Sequence, residues 1–210
     1  MTEKQIYELF ARLRAADPDP RSELDYTDPY TLLVAVVLSA QATDKSVNKA
    51  TPALFAAADT PEAMVALGEE RAGELIKTIG LYKMKARHIV GLSKALLEDY
   101  GGEVPQTRDE LVKLPGVGRK TANVVLNVAF GQPTLAVDTH IHRVANRTGM
   151  VRTETPEKTE LALLKIIPET FLPHAHHWLL LHGRHICKAP KPDCPACIVR
   201  DLCEYPDKTL

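Results

Sequence analysis

Apolar residues recur at spacings of three and four along most of the chain, as in Ile6, Leu9, Phe10 and Leu13. This is the period of an amphipathic α-helix. No long stretch alternates with the period of two that a half-buried strand shows, and no Asn-Gly or Asp-Gly turn joins two such stretches. The pattern therefore predicts an all-α protein of about ten short helices.

Residues that cap helices predict where several of these helices begin. Thr2-x-x-Gln5 and Thr107-x-x-Glu110 match the capping box, in which the two side chains satisfy each other's free backbone N–H groups. The pairs Thr51-Pro52, Thr60-Pro61 and Thr155-Pro156 each place a capping hydroxyl before a proline at the first helical position. We expect a helix to start at each of these five sites.

Two segments are apolar on nearly all sides, Leu32–Leu38 and Ala122–Phe130. Both contain β-branched residues, so buried strands are an alternative, but the helical surroundings favour buried helices. Gly131 would then be the C-cap of the second helix. The longest apolar stretch, Thr31 to Ala40, has ten residues, whereas a bilayer needs about 20. With no secretory signal in the first ten residues, we expect a cytoplasmic protein.

The charges are balanced in number but segregated along the chain. The 210 residues include 26 Lys and Arg against 27 Asp and Glu, which argues against an indiscriminate binder of polyanions. Yet Lys77–Lys94 holds five basic residues and no acidic one, and Lys113–Arg152 holds six basic residues and one acid, Asp138. These segments are either ordinary solvated helix faces or two basic surfaces.

The stretch LPGVGRKTA, residues 114–122, is the most informative local motif. Pro115 ends one helix, Gly116 and Gly118 allow a tight turn, and a new helix starts at about Arg119. The free N–H groups of such a helix start can bind a phosphate. A plain helix–turn–helix connection is the alternative, but the complete string within a basic segment favours a helix–hairpin–helix motif that contacts DNA.

Lys120 and Asp138 each allow two interpretations. Lys120 lies in the first turn of the new helix, where the helix dipole and the adjacent Arg119 favour the neutral amine, which is the nucleophilic form. A phosphate contact is the alternative. Asp138, in the sequence VDTH, is either a helix N-cap or a carboxylate that stabilises a cation or accepts a proton. Local sequence alone favours the cap.

All four cysteines of the chain lie in one window with the spacing C-x6-C-x2-C-x5-C: Cys187, Cys194, Cys197 and Cys203. A single site with four thiolate ligands explains this clustering. Zinc ribbons usually contain two C-x2-C pairs, and only one is present, so an iron–sulfur cluster is favoured although zinc stays open.

Taken together, LPGVGRK with Lys120, VDTH with Asp138 and the cysteine pattern resemble the endonuclease III family of DNA glycosylase/AP lyases, over essentially the whole chain. The resemblance implies two helical lobes with DNA crossing the cleft between them. One is a six-helix barrel, residues 22–132, with the helix–hairpin–helix at about 108–127. The other combines residues 1–21 with 133–210 and carries a [4Fe-4S] cluster on the four cysteines. Lys120 and Asp138 would face each other across the cleft.

The resemblance also implies a reaction and a set of contacts. A damaged pyrimidine is flipped out of duplex DNA, the Lys120 amine attacks C1′ to form a Schiff base, and β-elimination cleaves the strand. Asp138 stabilises the cationic transition state. Gln41 fills the space of the flipped base, and Leu81 is the wedge between base pairs. The residues expected to contact DNA are Gln41, Leu81, Gly116, Val117, Gly118, Arg119 and Lys191.

Two alternatives remain at this point. Glycosylases specific for mispaired adenine have a residue other than lysine at position 120, a glutamate in the helix that corresponds to Leu32–Leu38, and an additional C-terminal domain. A non-catalytic DNA-binding or electron-transfer module would explain the cysteines and the glycine turn, but would leave Lys120 and Asp138 without a role. The expected partner is damaged double-stranded DNA, and we expect a monomer associated with the nucleoid.

Overall fold

The computed structural model describes residues 1–209, which form ten α-helices, one 3₁₀ turn and no strand. The all-α prediction is confirmed. No helix in this part of the chain is both long enough and apolar enough to cross a bilayer. The elements are α1 Glu3–Ala16, α2 Pro29–Ser39, α3 Asp44–Ala57, α4 Pro61–Leu75, α5 Tyr82–Tyr100, α6 Arg108–Leu111, α7 Arg119–Phe130, α8 Thr139–Thr148, α9 Pro156–Ile166, the 3₁₀ turn Glu169–Phe171 and α10 Leu172–His185.

Four of the five predicted helix starts are confirmed. Thr2, Thr60, Thr107 and Thr155 each accept a hydrogen bond from a backbone N–H in the first turn of the helix that follows. The prediction for Thr51-Pro52 is wrong, because this pair lies inside α3. The hydroxyl of Thr43 caps α3 eight residues earlier by accepting the Ser46 N–H at 3.2 Å, and the buried Thr51 packs in the core.

The chain divides into two compact units, one formed by residues 22–131 and the other by residues 1–21 together with 132–210. The core of the first surrounds α2, in which every residue from Tyr30 to Leu38 is buried. Helices α3, α5 and α7 pack against it. Both apolar segments are helices, as predicted. The first is buried on all sides, whereas Val124 and residues 128–130 of α7 are only half-buried. Gly131 ends α7 with a φ of 64°, a conformation that glycine adopts without strain.

The second unit joins the first residues of the chain to the last. Its core contains Phe10 of α1, Phe171 of the 3₁₀ turn and Trp178 of α10, whose rings lie within 6.4 Å of one another. The Trp178 indole N–H donates to the carbonyl oxygen of Asp17 at 2.8 Å. Stabilisation of α1 therefore comes from residues that follow it by more than 150 positions.

Candidate functional site

The glycine turn between α6 and α7 is a compact hairpin anchored by apolar side chains. The Val117 N–H donates to the carbonyl oxygen of Leu114 at 3.1 Å, and Leu111, Leu114 and Val117 are all buried. The side chain of Val117 thus packs in the core, and its N–H is hydrogen-bonded within the hairpin. Val117 holds the turn in place, while Gly116 and Gly118 are exposed.

Gly116 is the point where this hairpin packs on α5. Its φ is +77°, and a Cβ atom at this position would lie 2.8 Å from Cβ, Cγ and Nδ1 of His88. One turn along α5, a Cβ on Gly91 would lie 3.4 Å from the ring of Pro115. Glycine is required at position 116 both for the left-handed backbone and for the close approach to His88.

Helix α7 begins with an open N-terminus. Its N-cap is Gly118, which has no side chain to cap the first N–H groups, and a Cβ at this position would meet nothing within 4 Å. Glycine therefore keeps the space above the helix start clear. Arg119 and Lys120 are exposed in the first turn, which places two cationic residues at the start of a helix that no side chain caps, a combination that suits an anion.

Gln41 and Leu81 are the two non-glycine residues within 1–209 that have positive φ, 55° and 61° respectively. A non-glycine residue in this conformation is destabilised by roughly 1–2 kcal/mol. Neither strain is offset by burial, since both side chains are exposed, Leu81 to 53%. Strained residues of this kind concentrate at binding and active sites. The family resemblance implies roles for these same two positions, with Gln41 filling the space of the flipped base and Leu81 as the wedge.

Asp138 is the N-cap of α8, as the local sequence indicated. Its Oδ1 accepts the Ile141 N–H at 2.8 Å, and Val137 and Ile141, on either side of it, are buried. The carboxylate itself is half-buried. The cap uses one oxygen and fixes the direction of the other, so capping and a chemical role are compatible.

Two arginines of α8 connect this helix to the cysteine-containing loop. Arg143 donates from Nε to the Cys187 carbonyl oxygen at 3.0 Å and from Nη2 to that of Gly183 at 2.8 Å. Arg147 donates to the carbonyl oxygens of Lys188 and Ala189 at 2.7 and 2.8 Å. Helix α8 thus carries Asp138 at one end and is fastened to the loop along its length.

All four cysteines line one pocket in this unit, together with the cationic side chains of Arg147, Arg200 and Lys208. Arg147 Nη1 lies 3.8 Å from Cys187 Sγ, and the Tyr205 N–H donates to Cys203 Sγ at 3.4 Å. Burial raises the pKa of Cys197 and of Cys203 above the ordinary value. Across residues 1–209, no three His, Cys, Asp or Glu side chains are grouped tightly enough to hold a single metal ion.

A histidine also borders this pocket. His182 Nε2 is 3.6 Å from Cys197 Sγ. Burial lowers the pKa of His182 to about 4, so its ring is neutral at pH 7. Lys191 lies on the same loop with its side chain in solvent, where it is free of the thiol pocket.

The surface formed by the segment Lys77–Lys94 carries less net positive charge than its five basic residues suggest. Lys85 is only 2% exposed, its Nζ has no hydrogen-bond partner among the described residues, and desolvation lowers its pKa. Other bases of the segment share a groove with acids of α4, lined by Glu69, Glu70, Glu74, Lys77, Lys83 and Arg87. The segregation of charge along the chain therefore overstates the positive charge near α5.

Several residues of the site were not predicted from the sequence. No local signal indicates that His88 covers Gly116, because the contact depends on how α5 packs against a hairpin 28 residues later. Arg143 and Arg147, in contrast, are four residues apart and so lie on one face of a helix. That spacing indicates that both side chains can bind the same neighbouring segment.

Comparison of sequences places the chain among DNA repair proteins. The model of the HhH-GPD superfamily of base excision DNA repair proteins matches residues 34–169. Endonuclease III of Rickettsia conorii is 56% identical over 201 residues, which cover 96% of this chain and 94% of that protein. Endonuclease III of Escherichia coli is 54% identical over 208 residues, which cover 99% of each.

Comparison with solved structures also finds DNA repair enzymes. A trapped endonuclease III–DNA covalent intermediate matches with a TM-score of 0.90 at 47% identity, covering 97% of this chain and 96% of that one. A non-covalent endonuclease III–DNA complex matches with the same TM-score at 46% identity and the same coverage. A thermostable thymine-DNA glycosylase matches with a TM-score of 0.83 at 27% identity, covering 97% and 95%.

The contact between Gly116 and His88 leads to a prediction. Gly116→Ala combines a strained φ with a steric clash, so we expect a loss of about 2–4 kcal/mol in the free energy of unfolding and weaker binding of duplex DNA. Gly131→Ala is the matched control: its φ is +64° but a Cβ would meet nothing within 4 Å, so about 1 kcal/mol is expected. Alanine at position 88 would keep the Cβ that lies 2.8 Å away, so the test uses His88→Gly. In a His88→Gly background, the loss caused by Gly116→Ala should fall to about that of Gly131→Ala, as measured by urea unfolding. Equal losses for both glycines would contradict the packing role of His88.

Proposed function

The chain belongs to the endonuclease III family of the HhH-GPD superfamily of base excision DNA repair proteins, and on this premise we propose that Lys120 and Asp138 perform its chemistry. Members of this family are DNA N-glycosylases and abasic-site lyases, and this chain acts on damaged pyrimidines in duplex DNA. The observation that carries the residue assignment is the exposed lysine in the first turn of an uncapped helix, directly after a glycine hairpin.

Lys120 is the proposed nucleophile. Its Nζ attacks C1′ of the damaged nucleotide, the N-glycosidic bond breaks, and the electron pair and a proton leave with the base. Loss of the amine proton and opening of the sugar give a Schiff base between Nζ and C1′. The Schiff base acidifies the protons at C2′; removal of one of them expels the 3′ phosphate and cleaves the strand. Hydrolysis of the remaining Schiff base releases the enzyme.

Asp138 is proposed to stabilise the positive charge that develops on the sugar as the base departs. The hydrogen bond from Ile141 N–H holds one carboxylate oxygen in place before substrate binds. A carboxylate fixed in this way needs little reorganisation in the transition state, which is the basis of electrostatic catalysis. Asp138 also assists the proton transfers that follow.

The DNA is positioned by backbone and side-chain contacts around this chemistry. Gly116, Gly118 and Arg119 present N–H groups and positive charge to a phosphate, Val117 keeps the turn in shape, and Lys191 contacts the backbone from the cysteine loop. Gln41 occupies the space of the flipped nucleotide, and Leu81 separates the neighbouring bases. The strained backbone of Gln41 and Leu81 supports this assignment, since each side chain projects from a short turn into solvent.

The four cysteines are proposed to hold a [4Fe-4S] cluster. A pocket lined by four thiols and several cationic side chains suits a cluster that is anionic once its ligands are included. Such a cluster would cross-link the loop from Cys187 to Cys203, and through Arg143 and Arg147 the loop steadies the helix that begins at Asp138. In this proposal residues 22–132 form the six-helix barrel, and residues 1–21 with 133–210 form the cluster domain.

The protein is further proposed to act as a monomer in the cytoplasm, associated with the nucleoid, where its substrate lies. An adenine-specific glycosylase is disfavoured because Lys120 is present and residues 30–43 contain no carboxylate. A purely structural DNA-binding module is disfavoured by family membership.

Borohydride trapping tests the role of Lys120. Reduction should link the wild-type protein covalently to duplex DNA that contains an abasic site or thymine glycol, because it converts the Schiff base to a stable amine. Lys120→Gln should abolish the product. Lys113→Gln is the matched control, since Lys113 is also exposed but precedes the hairpin, and it should still be trapped. If Lys120→Gln were trapped as efficiently as the wild type, the assignment of Lys120 as the lyase nucleophile would be wrong.

Asp138→Asn separates the capping role from the chemical role. Asparagine caps helices as well as aspartate does, so thermal unfolding should change little. Base removal should slow by about 100- to 1,000-fold, because the stabilising charge is lost. Single-turnover kinetics on a thymine glycol duplex would measure this effect. If Asp138→Asn removed the base at the wild-type rate, the carboxylate would be a cap only.

Iron analysis tests the cluster. Protein purified without oxygen should contain about four irons per chain, and Cys194→Ser should lose iron and unfold at lower temperature. Lys191→Ala, on the same loop, should keep its iron but bind DNA more weakly. A content of one zinc and no iron would overturn the proposed cluster.

A further inference from the structure

One face of α5 runs from the wedge residue to the phosphate-binding hairpin. Leu81, Met84, His88 and Gly91 are separated by three, four and three residues, a spacing that places them in one row along a helix. The far end of the row is fixed by the hairpin, because His88 lies against Gly116 and Gly91 lies against Pro115. The face of α5 that begins at Leu81 is therefore the face on which the hairpin sits.

Met84 is a large apolar side chain that this face leaves in solvent. It is 46% exposed, and Leu81, one turn earlier, is 53% exposed. The next two residues, Lys85 and Ala86, are buried, so the opposite side of the helix faces the core. Single exposed apolar residues are ordinary, but here two lie within one turn, with the exposed base Lys83 between them.

We propose that Met84 is a second wedge residue that contacts the base stack beside the lesion. This inference rests on the proposed roles of Leu81 and of the hairpin. With a rise of 1.5 Å per residue, Met84 lies about 4.5 Å beyond Leu81 along the helix, a distance slightly larger than the spacing of about 3.4 Å between stacked bases. When Leu81 enters at the lesion, Met84 reaches the neighbouring base pair on the side of the hairpin.

The chemistry of methionine suits this position. Its side chain is unbranched, with a polarisable sulfur that packs well against aromatic rings, so it adapts to any base without reading its identity. Two adjacent apolar side chains open the stack over a longer stretch than one. Met84 therefore helps the enzyme extract lesions that lie in well-paired duplex, where the stack resists opening most.

The experiment compares one lesion in two contexts. A single thymine glycol is placed either in a fully paired duplex or in a bubble of unpaired bases. Met84→Ser should lower kcat/KM about three- to tenfold on the paired duplex and leave the value on the bubble nearly unchanged. Met84→Leu should retain most of the wild-type value on both. Leu161→Ser is the matched control, because Leu161 is 54% exposed on α9, and it should change neither.

A fluorescence measurement provides an independent readout. The base analogue 2-aminopurine, placed at the pair next to the lesion, becomes brighter when it is unstacked. Wild-type protein should increase this signal on binding, and Met84→Ser should increase it less at saturating concentration. Equal losses of kcat/KM on both substrates, or wild-type behaviour of Met84→Ser in both assays, would overturn the inference. Failure of the wild type itself to be trapped by borohydride would instead overturn the proposed function.

Discussion

The hydrogen bonds that Arg143 and Arg147 make with the cysteine loop determine where α8 lies in its unit. Each guanidinium donates to two carbonyl oxygens of the segment 183–189, and a charged donor strengthens such bonds. Asp138, which carries the carboxylate, is the residue immediately before this helix. The carboxylate and the loop are thus attached to one helix, which is about 15 Å long.

The first unit contains two turns with a strained backbone. Gln41 and Leu81 hold unfavourable backbone angles and expose their side chains. Each turn adjoins a helix: α2, buried from Tyr30 to Leu38, ends two residues before Gln41, and α5 starts immediately after Leu81. A well-packed helix on one side of each turn provides the stability that the turn itself lacks. Such turns present a side chain at a fixed place with little loss of entropy on binding.

Much of the fold could be read from the sequence because its signals are local. The caps at Thr2, Thr60 and Thr155, the C-cap at Gly131 and the N-cap at Asp138 depend on residues within one turn of each other. The prediction for Thr51-Pro52 failed because a cap motif does not reveal whether an earlier cap has already started the helix. In α3, Thr43 had done so.

The sequence provides motifs for the residues proposed for the site, but it does not predict the contacts that hold them in place. Lys120, Asp138 and the cysteines stand in distinctive motifs, and their roles followed from the resemblance to a family rather than from spacing. The contact of His88 with Gly116 and the burial of Lys85 depend on how helices pack, which is decided by residues far apart in the chain. The acids of α4 likewise moderate the charge of the basic segment only once the two helices are side by side.

The discontinuous unit also has a consequence for how the protein is made. Helix α1 emerges from the ribosome first, but the aromatic residues that cover Phe10 lie beyond position 170. At roughly 5–20 residues per second, α1 waits about 10–30 seconds for them. The segment 22–131, which forms one contiguous unit, is synthesised completely during that time. During this interval Ile6, Leu9 and Phe10, which are buried in the finished unit, lack the side chains that cover them.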